Sequence, residues 1–259
     1  MNETLKEKIL DGLKKQTGHV GFYYKNLVTG DTLGYQEKEQ FLAASVIKLP
    51  IFMCISKWVH EGKASMDEIL CVKEEMKMPI CGALTLFTGD PEVDIRTLCN
   101  LMISISDNTA TNMLINRFGI RAFQDEFSRI GLKNTRLNRI LFDEEAGARG
   151  LENRIVPEEM GVLLEKIYRR SFVSAQVSED IEKTLLLQQI NHKICGIIGD
   201  GTVPVAHKTG EDEDLSNDVG LVYAGQPFVV CFAGHDTCAS DFEDLIRHIS
   251  ADLFEACNK

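Results

Sequence analysis

The apolar periodicity of this chain changes twice, and that change limits its possible folds. Residues 1 to about 16 read as an amphipathic helix, with Leu5, Ile9, Leu10 and Leu13 on one face, and Gly18 comes next. Strand-like runs cover 19–24 and about 32–35, joined by a turn at Thr29-Gly30-Asp31. From about 40 to 190 apolar residues recur at threes and fours, in 47–59, 98–105, 113–118, 160–167 and 181–190. Strand texture returns at 203–207, 219–222 and 228–233, and a helix from about Ser240 to Cys257 closes the chain. Strands from both ends can join one sheet, with the terminal helices packed on it. The central helices then form a body of their own. The expectation is an α/β chain of α+β type: one domain, 1–259, with a sheet subdomain of 1–39 plus 191–259 and a helical subdomain of 40–190. A crevice between two such bodies is a common ligand site.

Composition narrows the function. At 259 residues the chain can bury a large core without staples, and 44% hydrophobic with 26% charged residues excludes disorder. No apolar run reaches membrane-spanning length. A net charge of −11 without a Lys/Arg cluster argues against nucleic acid as a partner. Residues 1–15 hold no signal-peptide core, so a cytoplasmic location is expected, or an exported one if a leader has been removed. Eight cysteines (Cys54, Cys71, Cys81, Cys99, Cys195, Cys231, Cys238 and Cys257) are scattered without a CxxC pair, which reads as thiols in a reducing compartment. Cys231, His235 and Cys238 come nearest to a ligand cluster. Cys231 lies in an apolar run, so core packing is the favoured reading, and neither metal nor cofactor is expected.

Three short strings carry chemistry. Ser45-Val46-Ile47-Lys48 opens a helical stretch, Ser106-Asp107-Asn108 follows another, and Lys208-Thr209-Gly210 ends a strand-like run. Each alone has a bland reading: Ser45 and Ser106-Asp107 as helix caps, Lys48 as a solvated charge, Lys208-Thr209-Gly210 as a strand end. Together they describe a nucleophile with a base. A serine hydroxyl needs a group to take its proton. Ser45 at a helix start lies in a favourable field, and Lys48, three residues on, shares its face. Burial beside a second cation lowers a lysine's pKa and lets it act as that base. His207 alternates to the opposite face of its strand from Lys208 and reads as structural. Pro50, inside the helical stretch, removes one backbone bond.

The trio, in this order and continued as Thr109-Ala110-Thr111-Asn112, resembles the signature of class A β-lactamases and penicillin-binding proteins over nearly the whole chain. Val205-Ala206-His207-Lys208-Thr209-Gly210 and Gly150-Leu151-Glu152-Asn153 are similar to the bacterial group called β-lactamase-related serine hydrolases. The resemblance implies an antiparallel sheet flanked by terminal helices plus an all-helical subdomain. It implies Ser45, Lys48, Ser106 and Lys208 as catalytic groups, with Lys208 as the second cation and Ser106 as proton relay to the leaving nitrogen. Asn108, Thr209, Gly210 and Glu211 become the substrate-binding set. Asn108 donates to an amide carbonyl, Lys208 and Thr209 hold a carboxylate, Gly210 allows close approach, and the N–H groups of Ser45 and Glu211 form the oxyanion hole. The implied substrate is a small-molecule β-lactam or acyl peptide, acted on by a monomer. A D-amino-acid peptidase, an esterase, or a sensor that stays acylated are the alternatives.

Two departures bear on that reading. The family's deacylating glutamate falls at Leu141 in Arg139-Ile140-Leu141-Phe142-Asp143-Glu144-Glu145. The loop's neck pairs Arg139 with Asn153 in place of an aspartate, which predicts a neutral hydrogen bond. Asn112, which ties down this loop in the family, is kept. Slow deacylation is the consequence, with Asp143, Glu144 and Glu145 read as surface charges rather than substitutes. Glu211-Asp212-Glu213-Asp214 is either a solvated hairpin tip or a selector for a positive group near the acyl centre.

Overall fold

In the computed structural model, which describes residues 1–78, 80–199 and 203–258, strands from both chain ends meet in one five-stranded antiparallel sheet. The helices, in chain order, are α1 Glu3–Lys14, α2 Lys48–His60, α3 Ile95–Ser104, α4 Asn108–Phe118, α5 Ile120–Ile130, α6 Glu144–Ala148, α7 Pro157–Tyr168, α8 Ala175–Leu185, α9 Cys195–Ile198 and α10 Ala239–Cys257. The strands are β1 His19–Asn26, β2 Thr32–Tyr35, β3 Phe41–Leu42, β4 Ile69–Cys71, β5 Glu92–Asp94, β6 Arg154–Ile155, β7 Val205–Asp212, β8 Leu215–Val222 and β9 Phe228–His235. Sheet order is β2-β1-β9-β8-β7, which leaves β7 at an edge.

Strand alternation divides the core in two. Phe228, Val230 and Phe232 of β9 face the terminal helices and pack with Phe22, Tyr24, Ile9, Leu13, Phe242 and Ile246. Val229, Cys231 and Ala233 face the other way, into a larger core with α2 and α7. Cys231 is therefore a core side chain. Cys238 is exposed at the start of α10, and His235 packs against His19 and Phe41. Among the described residues no group of three His, Cys, Asp or Glu could hold a metal ion, and no helix is long and apolar enough to cross a membrane.

The stretch 40–190 is not purely helical. β3 pairs with β6 and β4 with β5, in strands of two or three residues, too short to show an alternating pattern. The helix expected over 181–190 ends at Leu185. The strand expected at 203–207 starts at Val205 and runs on to Asp212, carrying the Lys-Thr-Gly string inside it. Pro50 lies in the first turn of α2, where a missing N–H costs little.

Helix α7 lies flat on the sheet because Gly161 presents no side chain there. A Cβ at this position would stand 2.4 Å from the ring of Tyr23, which is itself buried. Gly161→Ala gains about 1 kcal/mol of helix propensity, yet overpacking costs about 1–3 kcal/mol. Urea denaturation is expected to show a net loss of stability. A gain would mean that α7 can lift from the sheet freely.

Candidate active site

Ser45 sits in a 3₁₀ turn, Ala44–Ile47, that runs directly into α2. Ala44 holds a left-handed φ of 40°, an unfavourable conformation for a residue with a Cβ. Two hydrogen bonds hold the chain just before the turn, and a third fixes the side chain that makes them. Asn217 of β8 donates from Nδ2 to Leu42 O (2.9 Å) and Ala43 O (3.1 Å), while its Oδ1 accepts from Gly234 N at 3.0 Å. A Cβ on Gly210 would stand 3.1 Å from Ser45 N and from Ala43 O. The close approach that Gly210 permits is thus to the Ser45 turn itself.

Lys48 begins α2, one helical turn from Ser45, and is fully buried. Its Nζ lies 2.8 Å from Ser45 Oγ, 2.8 Å from Ser106 O, 3.0 Å from Ser106 Oγ and 2.7 Å from Asn108 Oδ1. Ser106 also has a left-handed φ, 59°, and precedes α4. Its hydroxyl stands between two amines, because Lys208 Nζ on β7 reaches Ser106 Oγ at 3.2 Å as well as Thr209 O at 2.9 Å. Asp107 fixes this corner. It caps α4 by accepting from Ala110 N (2.9 Å), and it accepts from Ala83 N (2.7 Å) and Leu84 N (2.9 Å) of the facing loop. Asn108 Nδ2 donates to Ile80 O of the same loop at 2.5 Å. Thr209 is buried beside Lys208.

Burial holds Lys48 well below the usual lysine range, and the charge of Lys208 adds to that. Burial also pushes Lys208 down to about 7, against the pull of Asp218 and with help from Lys193. The structure therefore brings Ser45, Lys48, Ser106, Asn108 and Lys208 into one connected cluster, with Gly210 against the Ser45 turn.

Glu211 projects away from that cluster. Its carboxylate meets Lys193 Nζ at 3.0 Å and His192 Nε2 at 3.5 Å. Lys193 is fully buried and donates to Gly210 O and Asn217 O, each at 3.1 Å. It therefore holds the carbonyl of the peptide whose N–H belongs to Glu211. Sequence reasoning missed Lys193 and Asn217. Nothing local marks them, since both act through strand register between distant segments. Asp212 ends β7, and exposed Glu213 and Asp214 make the turn to β8, a solvated hairpin tip.

A family model described as the beta-lactamase enzyme family matches residues 4–257. The chain belongs to the beta-lactamase enzyme family. A beta-lactamase of Rhodobacter capsulatus is 28% identical over 139 residues, 53% of this chain and 47% of that protein. Beta-lactamase ROB-1 of Haemophilus influenzae is 21% identical over 193 residues, 73% of this chain and 61% of that one. The matches span less than two thirds of these curated relatives. In fold, the chain is similar to a beta-lactamase of Sphaerobacter thermophilus (TM-score 0.90, 23% identity, covering 99% of this chain and 98% of that one). It is similar also to PBP-A (TM-score 0.88, 28% identity, 98% and 96%). A leucine-to-glutamate variant of PBP-A is known as its acyl-enzyme with penicillin G.

The beta-lactamase loop at 139–153 is anchored at both ends, though not only as the sequence suggests. Arg139 keeps an ion pair, at 2.8 Å, to Glu152. Asn153 instead binds backbone, accepting from Asn138 N (2.7 Å) and Arg139 N (3.1 Å) and donating to Arg139 O (3.0 Å). The neck's ionic link has moved one residue along the chain. Asn112 pairs with both backbone groups of Leu141, accepting from its N at 2.8 Å and donating to its O at 2.9 Å. Asp143 is spent as the cap of α6, accepting from Ala146 N at 2.9 Å, and Glu144 and Glu145 are exposed.

The lysine shift sets a stability test. Unfolded, Lys208 keeps its proton up to its ordinary value of 10.5; folded, only up to about 7. Between those values unfolding takes up a proton, so the wild-type fold gains stability as pH rises. Below about 7 the full cost of the buried charge is present. Lys208→Met is therefore expected to be more stable than wild type at pH 7, with the gap closing toward pH 10 in urea titrations. A gap that does not change with pH would mean that Lys208 titrates alike in both states.

Proposed function

We propose that this chain is a serine hydrolase that opens β-lactams through an acyl-enzyme on Ser45 and releases the acyl group slowly. The shell of four oxygens around Lys48 Nζ carries the reading. Ser106 O and Asn108 Oδ1 are pure acceptors and take the two N–H bonds of a neutral amine. The lone pair is left for a hydroxyl proton. As Ser45 Oγ attacks the acyl carbon, its proton passes to Lys48 and the carbonyl electron pair moves onto oxygen. The N–H groups of Ser45 and Glu211 receive that charge, with the Gly210 carbonyl steadied by Lys193. When the carbon–nitrogen bond breaks, the nitrogen takes the Ser106 proton, which an adjacent lysine replaces. Lys208 and Thr209 hold the substrate carboxylate, and Asn108 turns from Ile80 O to a substrate amide carbonyl. The thiols fit a reducing compartment.

Release of the acyl group needs a base for water, and the loop offers Leu141 where the family has glutamate. Loss of a positioned base typically costs about 10²–10⁴ in rate. A sensor that stays acylated is the second reading, and it rests on the same leucine. D-amino-acid peptides or esters would use the same groups.

Intact mass spectrometry after mixing with a penicillin is expected to show one adduct, mapped to Ser45 and lost in Ser45→Ala. Equal labelling of that variant removes Ser45 from its role. Leu141→Glu is expected to clear the adduct about 10²-fold faster or more. An unchanged lifetime would mean that residue 141 does not reach the ester or that another base already acts. Wild type that turns over penicillin without a detectable adduct would contradict slow release.

A further inference from the structure

Behind the edge strand, on the face away from Lys208, lies a second cluster of reactive groups. His207 of β7 is buried, with Nδ1 2.9 Å from Asp218 Oδ1 on β8. Its Nε2 faces Asn191 Oδ1 at 3.0 Å and Cys195 Sγ at 3.6 Å. Asp218 is fixed in turn by Ile194 N, which donates to its Oδ2 at 3.1 Å. The Asp218 carboxylate at Nδ1 fixes the orientation of the ring. Nε2 is the ring nitrogen aimed at the cysteine sulfur, so the thiol can pass its proton to it. Cys195 is buried, at 8% exposed, which suits a small peroxide better than a bulky thiol reagent.

We propose that Cys195, with His207 and Asp218, is a site of oxidation by small hydroperoxides. The Cys195 thiolate attacks one peroxide oxygen, so a sulfur–oxygen bond forms as the oxygen–oxygen bond breaks. Sulfur is oxidised to a sulfenic acid and the peroxide is reduced. The leaving hydroxide takes the proton of His207 Nε2 and departs as water, which leaves His207 held by Asp218 alone. The new oxygen occupies packed space between α9 and β7, next to the residue before Lys208. Through that contact, and resting on the acylation reading above, oxidation slows adduct formation at Ser45.

The test is brief exposure of the folded protein to hydrogen peroxide, quenching, denaturation in dimedone so that a buried sulfenic acid is trapped, and peptide mapping. Cys195 is expected to label about tenfold faster than the exposed thiols Cys71, Cys81 and Cys238. Labelling that tracks exposure alone overturns the proposal, and so does an unchanged Cys195 rate in folded His207→Gln. The wild-type ranking decides the matter if that variant does not fold. Treated wild type is expected to form the penicillin adduct more slowly than treated Cys195→Ser, and equal rates remove the link to Ser45. Mapping of Cys195 reads out even if no adduct forms on Ser45, so failure of the site and failure of the hydrolase reading are separable.

Discussion

The site depends on two lysine amines buried within reach of one serine hydroxyl. Ser106 Oγ is 3.0 Å from Lys48 Nζ and 3.2 Å from Lys208 Nζ, in a region both side chains enter with no exposed surface. Two full charges there would be costly, and burial and mutual repulsion both favour loss of a proton. The fold therefore favours loss of the Lys48 proton beside Ser45, and this costs stability. The left-handed residues Ala44 and Ser106 add to that cost: Ala44 starts the turn that carries Ser45, and Ser106 brings its own hydroxyl to Lys48. What offsets it is a dense frame: Asp107 knots the loop at 83–84 to α4, and Asn217 holds the Ser45 turn against β8.

The edge strand β7 is where the two faces of the sheet communicate. Lys208 points from it toward Ser106, while its neighbour His207 points back toward Cys195 and Asp218. Lys193 takes the carbonyl of Gly210 and the carboxylate of Glu211 together. The acidic run after the Lys-Thr-Gly string is thereby partly neutralised where it is nearest Ser45, and its remaining charges sit at a solvated tip. That arrangement favours the plain reading of those acids over selection for a cationic substrate.

Much of this was legible in the chain, for local reasons. The continuous apolar run of β9 and the threes and fours of α2, α3 and α7 report which segments are buried, and burial is the same physics in both. Ser45 and Lys48 are one turn apart, so their proximity needs no tertiary knowledge. The pairs β3–β6 and β4–β5 were hidden because two or three residues carry no period. Lys193 and Asn217 were hidden because only the β7–β8 register brings Gly210 opposite Asn217. At the neck of the 139–153 loop the expected neutral bonds join Arg139 and Asn153, through the Arg139 backbone, but spacing alone could not show that Glu152 would add an ion pair to Arg139.

In the proposed function the loop governs the fate of the acyl-enzyme. Asn112 clamps Leu141 by both backbone groups, so the loop keeps its position while presenting an apolar side chain. In the proposed function, two half-reactions that share a nucleophile are separated by the loss of one carboxylate. Both depend on Lys48 being neutral when substrate arrives. Heteronuclear NMR titration of the lysine Nζ groups, assigned with Lys48→Arg, measures this directly. Lys48 is expected to lose its proton well below 10.5, the ordinary lysine value. A Lys48 signal that stays protonated up to that value would rule out a neutral base beside Ser45, because the proton of Ser45 would then have nowhere to go.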